Sequence, residues 1–553
     1  MQIRPQTAHE KEILGIWCSV SPSKAFFAGL NDYAGRVLVP THKNLDDLRK
    51  RITESSRRST SESQRKLLAC LDTYLSMLEP VHVPDDVLEA FFGHMIKEGT
   101  NANHLMSLAE YGRHALSAYL ENKERGDWPT GQKLLAVIRC NGLLELLRVV
   151  RSQTSRKMLK RKIDSLVAEV QRYKKHVHVD GFSTGEFEEV WKIIQRQGCD
   201  LGRENVYHRG LRDLYDYGES PSEIEEKGLH FLRNELGDYV DLVGQLATRL
   251  KCDERPQTLV GVLKRNRALE TSKIISYLNR VRVLTRKMVH RKIVNIDQDY
   301  FTKVIETPRY LSGVTPSGAT FFLDYLTRDP RQIFLATTDP RRDPHTVPAQ
   351  LLNLLMHEEY GHCVHVSNSA RNYAARPEFA ERLWSTLGIA VSEGISFHRE
   401  LEFGECLDRV GAHDRLTNEE RDFVKFFDGL GGFENLRMEY HFFTETWRIV
   451  RFLRVIGDAR INSGRQSLAD FVEWANRETG LPRSMIYFQV FPAHQSSMGG
   501  ATTYAIVGEE VKENQKVAQE AGKDIVKFNT YASSLGFVPR SVFRSRLLQY
   551  AKT

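Results

Sequence analysis

Residues 356–365 read MHEEYGHCVH, which places His357, His362 and His365 together with the adjacent glutamates Glu358 and Glu359. Two histidines four residues apart on a helix, with a glutamate directly after the first, can hold zinc and set a general base beside it. Here the residue four places after His357 is Gly361, and the histidine follows one position later as His362. Positions five apart on a regular α-helix diverge by about 140°, so the two rings would not reach one ion. A one-turn π-bulge absorbs one residue and returns both to the same face. Gly361 stands where that distortion is expected, because glycine best tolerates unusual backbone geometry.

The surrounding stretch, 344–369, predicts a buried helix. Thr346 is a candidate cap and Pro348 fits the first turn. Leu351, Leu352, Leu354, Leu355 and Met356 then make it apolar nearly all round. Ionisable groups on such a helix are costly unless they are paired or bind a metal. A catalytic zinc site takes three protein ligands and keeps one open position. The third ligand is expected on a second helix, 383–405, where Glu393 sits in an apolar run with Ala390, Val391, Ile395 and Phe397. Glu400, seven residues further, is the reserve ligand, better suited to supporting one. Glu358 is then the general base for a zinc-activated water. His365 and Cys363 are expected in the core, and Glu359 beside a basic partner.

The elements that must position these groups read mainly as α. Segments 63–79, 131–152 and 222–250 carry apolar residues at helical spacing, and Ser220-Pro221-Ser222-Glu223 signals a helix start. Strand signal is confined to 319–326 and 331–337, which predicts a small sheet just before the histidine segment. An exposed edge there would pair with an extended peptide, although two buried connecting strands would read the same way. The break at 178–187 divides an N-terminal helical region, 1–180, from a catalytic region, 181–553.

Bulk properties exclude several classes. A 41% hydrophobic and 27% charged composition is that of a water-soluble globular chain. No segment approaches the ~20 apolar residues of a membrane span, and the charged start does not read as a signal peptide. Seven dispersed cysteines fit a reducing cytoplasm. A net charge of +7, with basic clusters interleaved with apolar residues, offers no nucleic-acid footprint.

The segment HEEYGHCVH resembles the H-E-x-x-P-G-H-H motif of an uncharacterised bacterial family of zinc-peptidase-like proteins of the gluzincin type. That family continues with E-G-W-A-L-Y-x-E, similar to EGISFHRE at 393–400, and ends with P-G-Q-A-L-A-Y-K-I-G, similar to MGGATTYAIVG at 498–508. The resemblance covers roughly 205–550 and leaves 1–180 unassigned. It implies a multi-helix metallopeptidase fold with a cleft, zinc on His357, His362 and Glu393, and Glu358 as base. It also implies a catalytic role for Tyr504, whose phenol would donate to an oxyanion.

The departures are local. The motif proline is missing, and the resulting H-E-x-x-x-H spacing is similar to that of dipeptidyl peptidase III, with a glycine before the second histidine. The segment is also similar to the H-E-F-G-H-A-L-H of thimet-type oligopeptidases with one residue inserted. Ile395 and His398 replace a family tryptophan and tyrosine, and the longer 491–504 segment introduces His494, a second candidate oxyanion donor or substrate contact. Arg448, Arg460 and Tyr440 could hold a substrate carboxylate, although a structural role is the stronger expectation for any one of them.

The expected activity is zinc-dependent hydrolysis of a peptide or peptide-like amide bond in short substrates, of carboxypeptidase or oligopeptidase type. Two other readings stand beside it. One is a metal-dependent amidase or other enzyme on a small metabolite; the other is a peptidase-fold binding protein without turnover. Glu358 speaks against the last, since binding alone needs no base.

Overall fold

Ser220 begins one of the longest helices, Pro221–Leu250: its hydroxyl accepts from the Glu223 amide while the Glu223 carboxylate accepts from the Ser220 amide. Helices Glu62–Ser76 and Thr130–Gln153 likewise stand close to the expected segments. The computed structural model describes residues 4–553 apart from 123–127, 183–185, 200–202, 297–299, 301, 313–316, 341–343, 372–377, 385–389, 414 and 497. The fold is mainly α with one small sheet. Among the described residues no helix is long and apolar enough to cross a membrane.

The sheet has three strands in the order β1-β3-β2: β1 Thr302–Glu306, β2 Gly318–Leu323 and β3 Arg331–Ala336. The two expected strands are β2 and β3, which pair antiparallel, Thr320 opposite Phe334. Strand β1, parallel to β3, was not legible in the sequence, because its TKVIE carries only a short alternation.

The histidine segment is one continuous helical rod in three pieces: α-helical Pro348–Leu355, π-helical Met356–Cys363 and α-helical Val364–Arg371. Pro348 occupies the first turn, but Val347 rather than Thr346 takes the capping position, and no side chain caps the helix. This histidine helix packs on the glutamate helix, Ala390–Ala412. Two more helices close around the pair: the arginine helix, Phe433–Asn462, and the tyrosine helix, Gly500–Glu520.

Glycines permit the close approach of these rods. A Cβ on Gly361 would lie 2.6 Å from Ser396 Cα on the glutamate helix, and one on Gly394 would lie 2.6 Å from Val507 Cβ on the tyrosine helix. Gly361 has no positive φ. The reason for glycine at 361 is therefore contact with Ser396, not backbone tolerance as the sequence suggested. Gly361→Ala is expected to force the histidine and glutamate helices apart, costing about 1–3 kcal/mol as for other overpacked contacts. Thermal melting of the variant against wild type checks this, and an unchanged melting temperature refutes it.

The main apolar cluster runs from Ile13 to Ile506 and so draws on both sides of residue 180. A second cluster joins Val391 and Ile395 of the glutamate helix to Val507 and Val511 of the tyrosine helix and to Phe528, Phe543 and Leu547 near the C-terminus.

Candidate metal centre

In the π-helical turn the His357 and His362 rings come together with centroids 4.8 Å apart and planes perpendicular. The extra residue per turn does what the spacing required. Nε2 of each histidine lies 3.4 Å from the same atom, Glu393 Oε2. All three side chains are buried, and Glu393 Oε2 has no hydrogen-bond partner.

Bonds of about 2.0–2.1 Å to a tetrahedral zinc ion separate neighbouring ligands by roughly 3.3 Å. Two imidazole nitrogens and a carboxylate oxygen at that spacing, with an otherwise orphaned buried oxygen between them, fit the ion. Among the described residues this trio is the group of histidine, cysteine and acidic side chains placed to hold a metal.

The far sides of the rings are tied down. His357 Nδ1 is 2.7 Å from Glu400 Oε1 and His362 Nδ1 is 2.8 Å from Ser392 Oγ. Donation from both Nδ1 atoms leaves both Nε2 lone pairs facing Glu393. Glu400 is itself gripped by Arg451 at 2.7 and 2.9 Å and by Asn353 Nδ2 at 3.0 Å. It therefore braces His357 from behind and stands outside the trio.

Burial opposes charge on Glu400, but Arg451 and the bond from His357 bring its pKa down to about 2. Burial likewise opposes charge on Glu393, yet His362 and His357 hold it well below the carboxylate range. Burial disfavours the charged form of His357 as well, but the Glu393 and Glu400 carboxylates beside it raise it to about 9.

Glu358 points to the sheet: Thr320 Oγ1 on β2 lies 2.7 Å from its Oε2 and 3.0 Å from its own carbonyl oxygen. Tyr504 lies over His357, the rings parallel with centroids 6.4 Å apart. Burial first and Glu393 next push the phenol's pKa up, so it stays a donor.

The helix Arg483–Ser496 contains His494, whose side chain lies outside the described residues. Glu359 forms a two-pronged pair with Arg282 at 2.8 and 2.9 Å. His365 is fully buried against Phe537, with its pKa lowered to about 3 by burial. Cys363 is also buried.

Arg448, Arg460 and Tyr440 have internal partners, in line with the structural role expected for any one of them. Arg448 binds Glu235 and Glu509, Arg460 binds Glu225, and the Tyr440 hydroxyl donates to the Glu400 carbonyl. Their positions on helices said nothing of these partners. Thr320, Asn353, Ser392 and Arg451 were missed as site residues. The one signal for them was polar side chains in otherwise apolar helices or an expected strand.

The start of the tyrosine helix is anchored by Asp458 of the arginine helix, fully buried. Its carboxylate accepts from the Gly499 amide at 3.0 Å, from Thr502 Oγ1 at 2.9 Å and from Asn462 at 2.8 Å. Burial outweighs these donors and raises its pKa to about 7. An exposed aspartate titrates near 3.9, so the folded chain holds this proton more tightly. The stability tied to it is complete below about pH 4 and is lost as pH rises through 7. Asp458→Asn removes that loss. Relative to wild type the variant is expected to gain on the order of 2 kcal/mol between pH 5.5 and pH 8.5. Parallel stability curves for the two proteins in urea would show that Asp458 does not titrate in this range.

No protein-family model matches the chain, and no curated protein matches it. Its fold is shared with solved bacterial structures. One is "The crystal structure of the putative lipoprotein from Colwellia psychrerythraea", 14% identical, with a TM-score of 0.66 over 98% of this chain and 99% of that one. Another is a similarly described lipoprotein "of unknown function from Shewanella oneidensis", 14% identical, with a TM-score of 0.63 and the same coverage. At such identity the likeness defines the fold alone.

Proposed function

We propose that this chain is a zinc-dependent hydrolase that cleaves a peptide or peptide-like amide bond in short substrates, as a gluzincin-type metallopeptidase. The observation that carries the reading is the convergence of His357 Nε2 and His362 Nε2 at 3.4 Å on an unpartnered, buried Glu393 Oε2, with Glu358 directly after His357 in the chain. Zinc bound there supplies a Lewis acid that lowers the pKa of water to about 7 and polarises the scissile carbonyl.

The chain's own residues do the rest. Glu358 takes the proton of the attacking water and returns it to the leaving amine, with Thr320 fixing the carboxylate's direction. Tyr504 donates its phenolic proton in a hydrogen bond to the oxyanion that develops on the carbonyl oxygen. Glu400 and Ser392 hold the histidines in the tautomer that binds metal. Among the described residues strand β2 is an edge of its sheet beside the histidine helix, with no strand paired on its other side, where an extended peptide can pair.

The test is metal content of the purified protein and after reconstitution, followed by hydrolysis of blocked peptides and small amides. About one zinc per chain, with turnover that a chelator abolishes and zinc restores, is the expected result. A chain that takes up no zinc ends the hydrolase reading.

A further inference from the structure

Arginines in the interior of this protein come with carboxylates. Arg282 has Glu359, Arg448 has Glu235 and Glu509, Arg451 has Glu400, and Arg540 has Glu219 and Glu510. Each pairing offsets the cost of taking a guanidinium out of water.

Arg454 departs from the pattern. It lies three residues after Arg451 and four before Asp458, on the face of the arginine helix that looks toward the metal trio and the tyrosine helix. Its hydrogen bonds go to neutral groups: Nε to the Gln489 carbonyl at 2.9 Å and Nη2 to Gln489 Oε1 at 2.6 Å. Its guanidinium carbon sits 4.9 Å from the centre of the Tyr504 ring, which in turn stacks on His357. Among the described residues no carboxylate forms an ion pair with it. Burial, with Arg451 adding to it, lowers its pKa while Tyr504 and Glu393 oppose, as for a cation short of a counter-charge.

Arg454 and Tyr504 are both only half-buried, whereas Arg448 and Arg451 are closed off. Gln489 aims the guanidinium through Nε and Nη2, and the Tyr504 hydroxyl is a further neutral partner. The result is an aimed, partly exposed cation beside the phenol assigned to the oxyanion.

We propose that Arg454 binds a carboxylate of the substrate, so that the preferred ligands are short peptides ending in a free C-terminal carboxylate. A planar guanidinium suits that group because it donates two parallel hydrogen bonds. The assignment rests on the hydrolase reading for the bond that is cut, but carboxylate recognition is measurable without turnover.

The experiment uses the full-length Glu358→Gln protein loaded with zinc, and two probes, N-acetyl-Phe-Leu and its C-terminal amide, titrated by calorimetry. The acid should bind about tenfold or more tightly than the amide, the effect of one charge-assisted hydrogen bond. The preference should vanish in Arg454→Met and return in part in Arg454→Lys. Equal affinities for acid and amide in the Glu358→Gln parent, including no binding of either, overturn the proposal, as does a preference that survives in Arg454→Met. Because the acid–amide comparison is made first in the parent, a poorly folding Arg454 variant does not leave the question open. Failure of the hydrolase reading shows separately, as wild-type protein that binds the acid with preference but turns nothing over.

Discussion

Glu358→Gln is expected to bind zinc as wild type does and to lose turnover by about 10²–10⁴-fold in kcat, the range for removal of a general base. The amide side chain has the same shape and still accepts the hydrogen bond from Thr320 Oγ1, so the π-helical turn and its histidines stay in place. It cannot take a proton from the attacking water. Because the change acts on the chemical step and not on binding, KM should move little. Steady-state kinetics on a cleaved peptide, with zinc content measured on the same samples, provide the check. Turnover at the wild-type rate with Glu358 replaced would remove it from the mechanism and favour a ligand-binding protein.

His362→Ala and Glu393→Gln are expected to do the reverse and remove the metal itself. Structural zinc sites bind with roughly 10–16 kcal/mol in all. One of three ligands is therefore worth on the order of 3 kcal/mol, more than a hundredfold in affinity. Glu400→Gln should be milder, at 10–100-fold, because Glu400 acts through His357 Nδ1. Competition against a chromophoric chelator ranks the three variants. If Glu400→Gln proved the most damaging and Glu393→Gln bound zinc normally, the ligand set would be wrong. Each variant needs a folding control, since Glu393 faces both histidines inside the buried trio.

The grouping of His357, His362 and Glu393 was legible in the sequence because burial constrains it from that side. An apolar helix carrying His357, Glu358 and His362 needs a reason for its charges, and a five-residue spacing has one regular remedy, the π-turn found at Met356–Cys363. Glu393 stood out on the same grounds, as a carboxylate in an apolar run on the next helix. The role of Gly361 was read from the wrong cause. Backbone tolerance is visible in a residue type, whereas contact with Ser396 exists only once two helices cross.

By itself, then, the sequence determined the mainly helical class, the two longer-signalled strands, the need for a helix distortion between two histidines, and which side chains could share an ion. These follow from periodicity and from the cost of burying charge, both local along the chain. Tertiary structure alone decided partners. It put Arg451 and Asn353 on Glu400, Thr320 on Glu358 and Asp458 under the tyrosine helix, and it engaged Arg448 and Arg460 with glutamates while leaving Arg454 with neutral company. Those pairings join residues far apart in the chain. Which arginine meets a carboxylate is settled by the packing of helices against one another, to within a few ångströms, and no local pattern encodes it.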